Sequence, residues 1–209
     1  MPQETELKRC PWCGDDPLYR AYHDQEWGNP LYDNQQLFEF LILEGAQAGL
    51  AWITVLRKRE AYRRAFDQFA PHRMARYTPA RKAKLLRNPG IIRNRLKVDS
   101  AVRNAQAYVA MEKAGEDFSA FLWGFVGGSP LRNRWRTFAE VPVSTSESDA
   151  MSRELKKRGF NFVGPTICYA FMQATGMVND HLVDCYRHSE CDAMATPAET
   201  GRASKSPQR

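Results

Sequence analysis

The sequence predicts an all-α fold, and three observations carry that reading. No segment sustains a period-2 alternation of β-branched residues, the pattern of a half-buried strand. Apolar residues recur instead at helical spacing, as in Leu37, Phe38, Leu41 and Ile42. Prolines also follow start residues at Asp16-Pro17, Thr78-Pro79 and Gly164-Pro165, where the missing N–H costs a helix nothing. With 209 residues and a hydrophobic fraction of 43%, the chain is long enough for one domain with a core, or one domain with two lobes.

The elements follow in order. Asp16 caps a first helix that carries Tyr19, Tyr22 and His23 and stops by Gly28. Asp33 or Asn34 caps a second, ending near Ala46, with Gly45 and Gly49 interrupting the pattern. A third spans about residues 51–66. Thr78-Pro79 opens a basic helix that Asn88-Pro89-Gly90 breaks. A long helix resumes after Ile92 and runs to about Ala114. Asp117 or Ser119 begins an apolar helix through Phe121, Leu122 and Trp123. Residues 127–142 read as loop. Ser146 caps a helix ending at Gly159, and Gly164-Pro165 opens the last core helix, through Ala174. The expected organisation is a flexible stretch over residues 1–8, one two-lobed domain over 9–190, and an unstructured tail over 191–209 that is poor in large apolar residues.

Composition narrows the function classes. No apolar run is long enough to span a membrane, and the first nine residues lack the apolar core of a signal peptide. Five cysteines in an unexported chain point to thiols and metal ligands rather than disulfides. The net charge of +6 is unevenly placed: residues 57–97 hold 14 Lys and Arg against only Glu60 and Asp67, a local charge of +12. The rest of the chain is therefore at −6. Such an imbalance marks a surface for a polyanion; scattered solvated helix faces are the alternative.

Two pairs of soft metal ligands lie far apart in the chain: Cys10 with His23, and His181 with Cys185. The second pair is spaced i, i+4, which puts both on one face if the segment is helical. Two thiolates and two imidazoles fill a tetrahedral zinc shell and leave no position for a catalytic water, so such a metal would be a clasp. Cys13, His188 and Cys191 are competing donors, and buried Cys is also ordinary packing.

Glu44 is the carboxylate out of place, set between Phe38, Leu41, Leu43 and Ala46, Leu50, Trp52. Either it is a surface residue at a helix end, or it lies in a pocket with nearby aromatics such as Trp12, Tyr19, Tyr22 and Trp27. An aromatic cage with one buried carboxylate suits a flat cation. The turn Asn88-Pro89-Gly90, flanked by Arg87, Arg93, Arg95 and Lys97, could expose amides to a phosphate, or simply join two packed helices.

Together these residues resemble the 3-methyladenine DNA glycosylase I family. The resemblance runs from Arg9 to Cys185. It rests on Cys10 with Trp12, Asp16-Pro17 with Tyr19, Tyr22-His23-Asp24, Glu26-Trp27-Gly28, Leu43-Glu44-Gly45 and Gln47 with Gly49-Leu50. Further matches are Trp52-Ile53-Thr54-Val55-Leu56, Gly90-Ile91-Ile92-Arg93, Lys156-Lys157-Arg158-Gly159-Phe160, Phe162-Val163-Gly164, Ile167-Cys168-Tyr169 and Val178-Asn179-Asp180-His181. It implies a helix-hairpin-helix DNA glycosylase fold, with the motif around residues 78–114 and a zinc clasp of Cys10, His23, His181 and Cys185. It implies Glu44 as the base-contacting carboxylate, with Trp12, Tyr19, Tyr22 and Trp52 as the base pocket. Gly90, Ile92 and Arg93 match the phosphate-binding hairpin, and Leu50 is the expected wedge into the vacated base stack. The implied activity is removal of 3-methyladenine from double-stranded alkylated DNA, giving the free base, by a monomer in a bacterial cytoplasm, at the nucleoid when on DNA. Two features depart from the family pattern: Cys13 creates an additional Cys-x-x-Cys, and the hairpin lacks a second glycine. Two other classes share part of this pattern, a zinc-stabilised nucleic-acid-binding protein without catalysis and a zinc hydrolase.

Overall fold

The computed structural model describes residues 7–194. Within them the chain forms eleven α-helices and one short parallel strand pair. The helices are α1 (Pro17–Gln25), α2 (Asn34–Gln47), α3 (Trp52–Leu56), α4 (Arg59–Ala65), α5 (Pro71–Met74) and α6 (Pro79–Leu86). They continue with α7 (Arg95–Lys113), α8 (Phe118–Trp123), α9 (Ser146–Lys157), α10 (Pro165–Ala174) and α11 (Tyr186–Met194). Strands β1 (Leu131–Arg132) and β2 (Val178–Asn179) pair in register Leu131 to Val178.

Side-chain caps start these helices where the sequence places them. The Asp16 carboxylate accepts the Leu18 and Tyr19 amides at 2.9 and 3.1 Å, Asp33 accepts Gln36 at 2.9 Å, and Asn94 accepts Lys97 at 3.1 Å. Thr145, one residue before the expected cap Ser146, forms a capping box with Ser148. Helix α2 is the centre of the fold. Every residue from Leu37 to Ala46 is buried, and a helix apolar on all faces must be surrounded. Helices α3, α7, α8 and α10 pack around it.

Several expected boundaries shift, each for a local reason. The helix expected over residues 51–66 is two, α3 and α4, broken at Arg57 and Lys58. There the side chains of Arg57, Lys58 and Arg59 reach to Asp16, the Pro89 carbonyl and Glu26, on separate segments. The loop over 127–142 contains β1 and a 3-10 turn at Phe138–Glu140, both too short to show periodicity. His181 and Cys185 are not on a helix: residues 180–185 form an irregular turn after β2. Helix α11 runs past Cys191, where the unstructured tail was expected to begin; its buried face of Arg187, His188 and Cys191 holds it to the fold. Residues 195–209 of that tail, and most of the N-terminal stretch, lie outside the described residues.

The segment after α1 is tied to the end of α10. Gly28 N–H donates to the Gln173 carbonyl at 3.1 Å, and Leu31 N–H to that of Thr175 at 3.0 Å. Gly176, at φ +69°, lies so close to this segment that a Cβ would collide with the Asn29–Pro30 backbone. Gly176→Ala therefore adds both a left-handed strain and an overlap. The expected loss is roughly 2–4 kcal/mol, read as a lower urea midpoint at unchanged m-value.

Candidate active site

Helices α1, α2, α3 and α10 enclose a cavity of about 210 Å³. That is smaller than the roughly 300–1,000 Å³ of sites for drug-sized ligands, and matches a single planar ring system. Trp12, Tyr19, Tyr22, Trp27 and Trp52 supply its aromatic walls, and Glu44 its carboxylate. The rings brace one another: Trp12 meets Tyr19 at 5.0 Å and Trp27 at 4.9 Å edge-on, and Tyr22 lies 5.5 Å from Trp52. The indole Nε1 groups of Trp12 and Trp52 are buried and have no hydrogen-bond partner. Unpaired buried donors are costly.

Glu44 is 3% exposed. Its neighbour on the same helix, Glu39, is also buried, but accepts the Arg63 guanidinium at 2.8 Å. Among the described residues nothing donates to Glu44. Desolvation alone pushes its carboxyl up to about 8, so the empty pocket holds a neutral acid at pH 7. The surface reading of Glu44 is thus replaced by the pocket reading, because α2 runs through the core to its last turn.

Cys10, His23, His181 and Cys185 converge, all buried, with their ligand atoms within 4.8 Å of one another. His23 Nε2 and His181 Nδ1 lie 3.4 and 3.6 Å from Cys185 Sγ, and His181 Nδ1 lies 3.6 Å from Cys10 Sγ. Metal bonds of about 2.0–2.3 Å give a tetrahedron with edges of about 3.3–3.8 Å, which these three contacts match, and the widest pair, within 4.8 Å, would draw in slightly around zinc. The outer partners fit too. His23 Nδ1 is 2.8 Å from Asp24, itself held by Arg9, and His181 Nε2 is 3.0 Å from the Trp27 carbonyl. Each contact ties up the nitrogen pointing away, leaving the inner one as the donor. The competing donors lie elsewhere: Cys13 Sγ donates to the Cys10 carbonyl, His188 bonds the Asn133 carbonyl, and Cys191 lies beside Arg187 and Asn29.

The turn between α6 and α7 differs from its expected use. Gly90 N–H donates to Asn88 Oδ1 at 2.8 Å, and Ile92 N–H to the Tyr62 hydroxyl at 3.0 Å. Both amides are therefore engaged within the protein, whereas Arg93 is exposed. Leu50 is 39% exposed, on the turn between the pocket residues Gln47 and Trp52.

Four further lining residues had not been assigned: Gln47, Phe138, Ala170 and Gln173. Gln47 follows Glu44 by three residues on a helix, a spacing that marks a shared face. Phe138, 53% exposed at the cavity, sits in the irregular segment and carries no such signal.

A cavity sized for one planar ring system, walled by indoles and phenols around an unpaired acid, in a chain that also carries a strongly basic segment, is the kind of site that suits a flat base. Known proteins agree. The family described as Methyladenine glycosylase matches residues 12–188. The chain is 54% identical over 177 residues to the DNA-3-methyladenine glycosylase of Haemophilus influenzae, covering 85% of this chain and 96% of that protein. A crystal structure of 3-methyladenine DNA glycosylase I superposes with a TM-score of 0.86 at 53% identity, over 87% of this chain and 100% of that one. A variant of 3-methyladenine DNA glycosylase I in complex with 3-methyladenine superposes at 0.82 with 38% identity, over 85% and 96%. The chain belongs to the methyladenine glycosylase family.

The buried acid makes stability depend on pH. An unfolded Glu ionises near 4.5, whereas folded Glu44 keeps its proton to about 8. Between those values the native state binds more protons than the unfolded one, so this group's contribution falls as pH rises, by up to about 1.4 kcal/mol per pH unit. Above about 8 both states are ionised and the full penalty is present. Glu44→Gln removes it, so variant and wild type should melt alike near pH 4 and diverge towards pH 8, the variant being higher. Parallel melting curves across that range would show that Glu44 is solvated.

Proposed function

We propose that this chain hydrolyses the N-glycosidic bond of 3-methyladenine in double-stranded alkylated DNA, acting as a monofunctional DNA glycosylase in repair. The observation that carries the reading is Glu44, buried without a partner inside an aromatic cage. Methylation at N3 makes adenine cationic and weakens its bond to the sugar. The lesion is flipped out of the duplex and stacked among Trp12, Tyr22 and Trp52, with Tyr19 at the wall. Its positive charge lowers the proton affinity of Glu44, which releases its proton to solvent as the base enters, and the resulting carboxylate pairs with the cationic base. Neutral adenine offers no such charge, so it meets only a neutral acid.

The C1′–N bond then breaks with its electron pair passing to the base, which departs neutral as free 3-methyladenine. Water adds to C1′ and loses a proton to solvent, leaving an abasic site. Among the described residues no lysine lines the cavity to form an imine with the sugar, which supports a reaction that stops there. Leu50, exposed at the α2–α3 turn, fills the gap in the stack. Residues 78–114 act as the helix-hairpin-helix. Because the Gly90 and Ile92 amides are already bonded, Arg93 and the exposed start of α7 make the main phosphate contact of that hairpin. Cys10, His23, His181 and Cys185 hold one structural zinc ion, which cross-links the two ends of the domain and supplies no reactive water. On this reading the protein acts as a monomer in the bacterial cytoplasm, where the chromosomal DNA is. None of its described helices is long and apolar enough to cross a membrane.

Two measurements test this. Trp52→Ala should weaken free 3-methyladenine binding by roughly 1–3 kcal/mol, read by tryptophan fluorescence, and slow single-turnover release of the base. Glu44→Gln should slow release modestly, because the leaving group is already activated. Both should bind undamaged duplex as wild type does. Wild-type behaviour of both variants in both assays would place the base elsewhere. For the metal, Cys185→Ser should lower bound zinc below one equivalent and lower the melting temperature. One full equivalent with unchanged melting would remove Cys185 from the ligand set.

A further inference from the structure

The basic segment sorts its cations into two groups. Arg57, Arg59, Arg63, Arg81 and Lys82 each reach a carboxylate, on Asp16, Glu26, Glu39, Asp67 and Asp99. Lys58 and Lys97 bond backbone carbonyls. Among the described residues Arg64, Arg73, Arg76, Lys84, Arg87, Arg93 and Arg95 do neither, and of these Arg64, Lys84 and Arg87, all exposed, line one open cleft between α4 and α6. That cleft, of about 710 Å³, is also lined by Arg81, Asn88 and Gly90, and by no acidic and no aromatic side chain.

Bringing four cations to one concave surface is repulsive, and focuses positive potential there. Arg81 is held in place by the Ala65 carbonyl at 2.8 Å and by stacking 5.1 Å from the Tyr77 ring. A nucleobase would find nothing to stack on, and a cation nothing to pair with. A phosphate chain finds charge and guanidinium forks. The cleft is continuous with the α6–α7 turn, because Asn88 and Gly90 belong to both. Gly90 sits so close to α4 that a Cβ would lie 2.8 Å from Ala61 Cβ, which seats the turn against the cleft.

We infer that the α4–α6 cleft is a second backbone-binding site, in which Arg64, Lys84 and Arg87 hold phosphodiesters of the same duplex beyond those held at the turn. This extends the DNA footprint away from the base pocket without reading sequence. It rests on the glycosylase reading above, and its test separates the two.

The test is the binding of undamaged duplex against salt concentration, by fluorescence anisotropy, for wild type, Arg64→Gln/Lys84→Gln and a control, Lys113→Gln/Lys156→Gln. The control removes the same charge from exposed positions on α7 and α9. Each lost phosphate contact lowers the slope of log K against log salt by about 0.9, so the cleft variant should lose about 1.8 and the control nothing. Melting and free 3-methyladenine binding should stay at wild-type values in both. A wild-type slope in the cleft variant, while Arg93→Gln still lowers it, would overturn the cleft and leave the glycosylase reading intact. An equal drop in the control would also overturn it, as an effect of net charge. A wild-type protein whose duplex binding ignores salt would overturn both readings.

Discussion

A carboxylate buried without a partner is the constraint around which this structure is built. Helix α2 carries two buried acids, and the fold treats them differently. Glu39 receives Arg63, while among the described residues Glu44 receives no donor, and burial raises its proton affinity instead. The position makes ionisation harder still, since Glu44 lies in the last turn of α2, where the helix dipole is negative. Lys97 offsets part of this by donating to the Ala46 and Ala48 carbonyls, which have no acceptor role left within the helix. The aromatic walls surround the acid with apolar surface, and so contribute to the desolvation that raises its proton affinity.

Those walls depend on the Cys/His cluster. Trp12 follows Cys10 by two residues, and its ring lies 5.4 Å from His23. Tyr22 is adjacent to His23, and the Trp27 carbonyl meets His181 Nε2. Three wall residues, Trp12, Tyr22 and Trp27, are therefore positioned by the cluster. Asp180, next to His181, fixes the opposite side. Its buried carboxylate accepts Asn133, Trp135, Tyr169 and Gln173 at 2.7–2.8 Å. One residue thus orients Gln173 at the cavity and anchors the irregular segment that delivers Phe138.

What was legible in the sequence follows from the range of the interactions concerned. Caps and prolines act within one turn, so the starts of α1, α2, α6 and α10 could be read directly. The break between α3 and α4 depends on Asp16, Glu26 and Pro89, distant in sequence, and no local pattern announces it. Glu44 stood out by its apolar neighbours, yet its lack of a partner is a tertiary fact, visible only once Arg63 is seen to choose Glu39. The spacing of His181 and Cys185 pointed to a helix, whereas an irregular turn brings them together. The Gly90 and Ile92 amides looked free because their acceptors, Asn88 Oδ1 and the Tyr62 hydroxyl, are side-chain atoms that a backbone reading does not place.

The same contacts that occupy those amides make the turn rigid. Lys58 reaches the Pro89 carbonyl at 2.8 Å, Gly90 packs on Ala61, and Tyr62 accepts the Ile92 amide, so α4 and the residue before it grip the turn at three points. Helix α4 follows directly from α3, which presents Trp52 to the cavity. Lys97, from the first turn of α7, grips the end of α2 below Glu44. The basic turn and the base cavity are therefore joined through two short, independent connections rather than through a flexible linker. The turn therefore stands at a fixed distance from the cavity mouth, and the same contacts hold the end of α2, and with it Glu44, at the cavity wall.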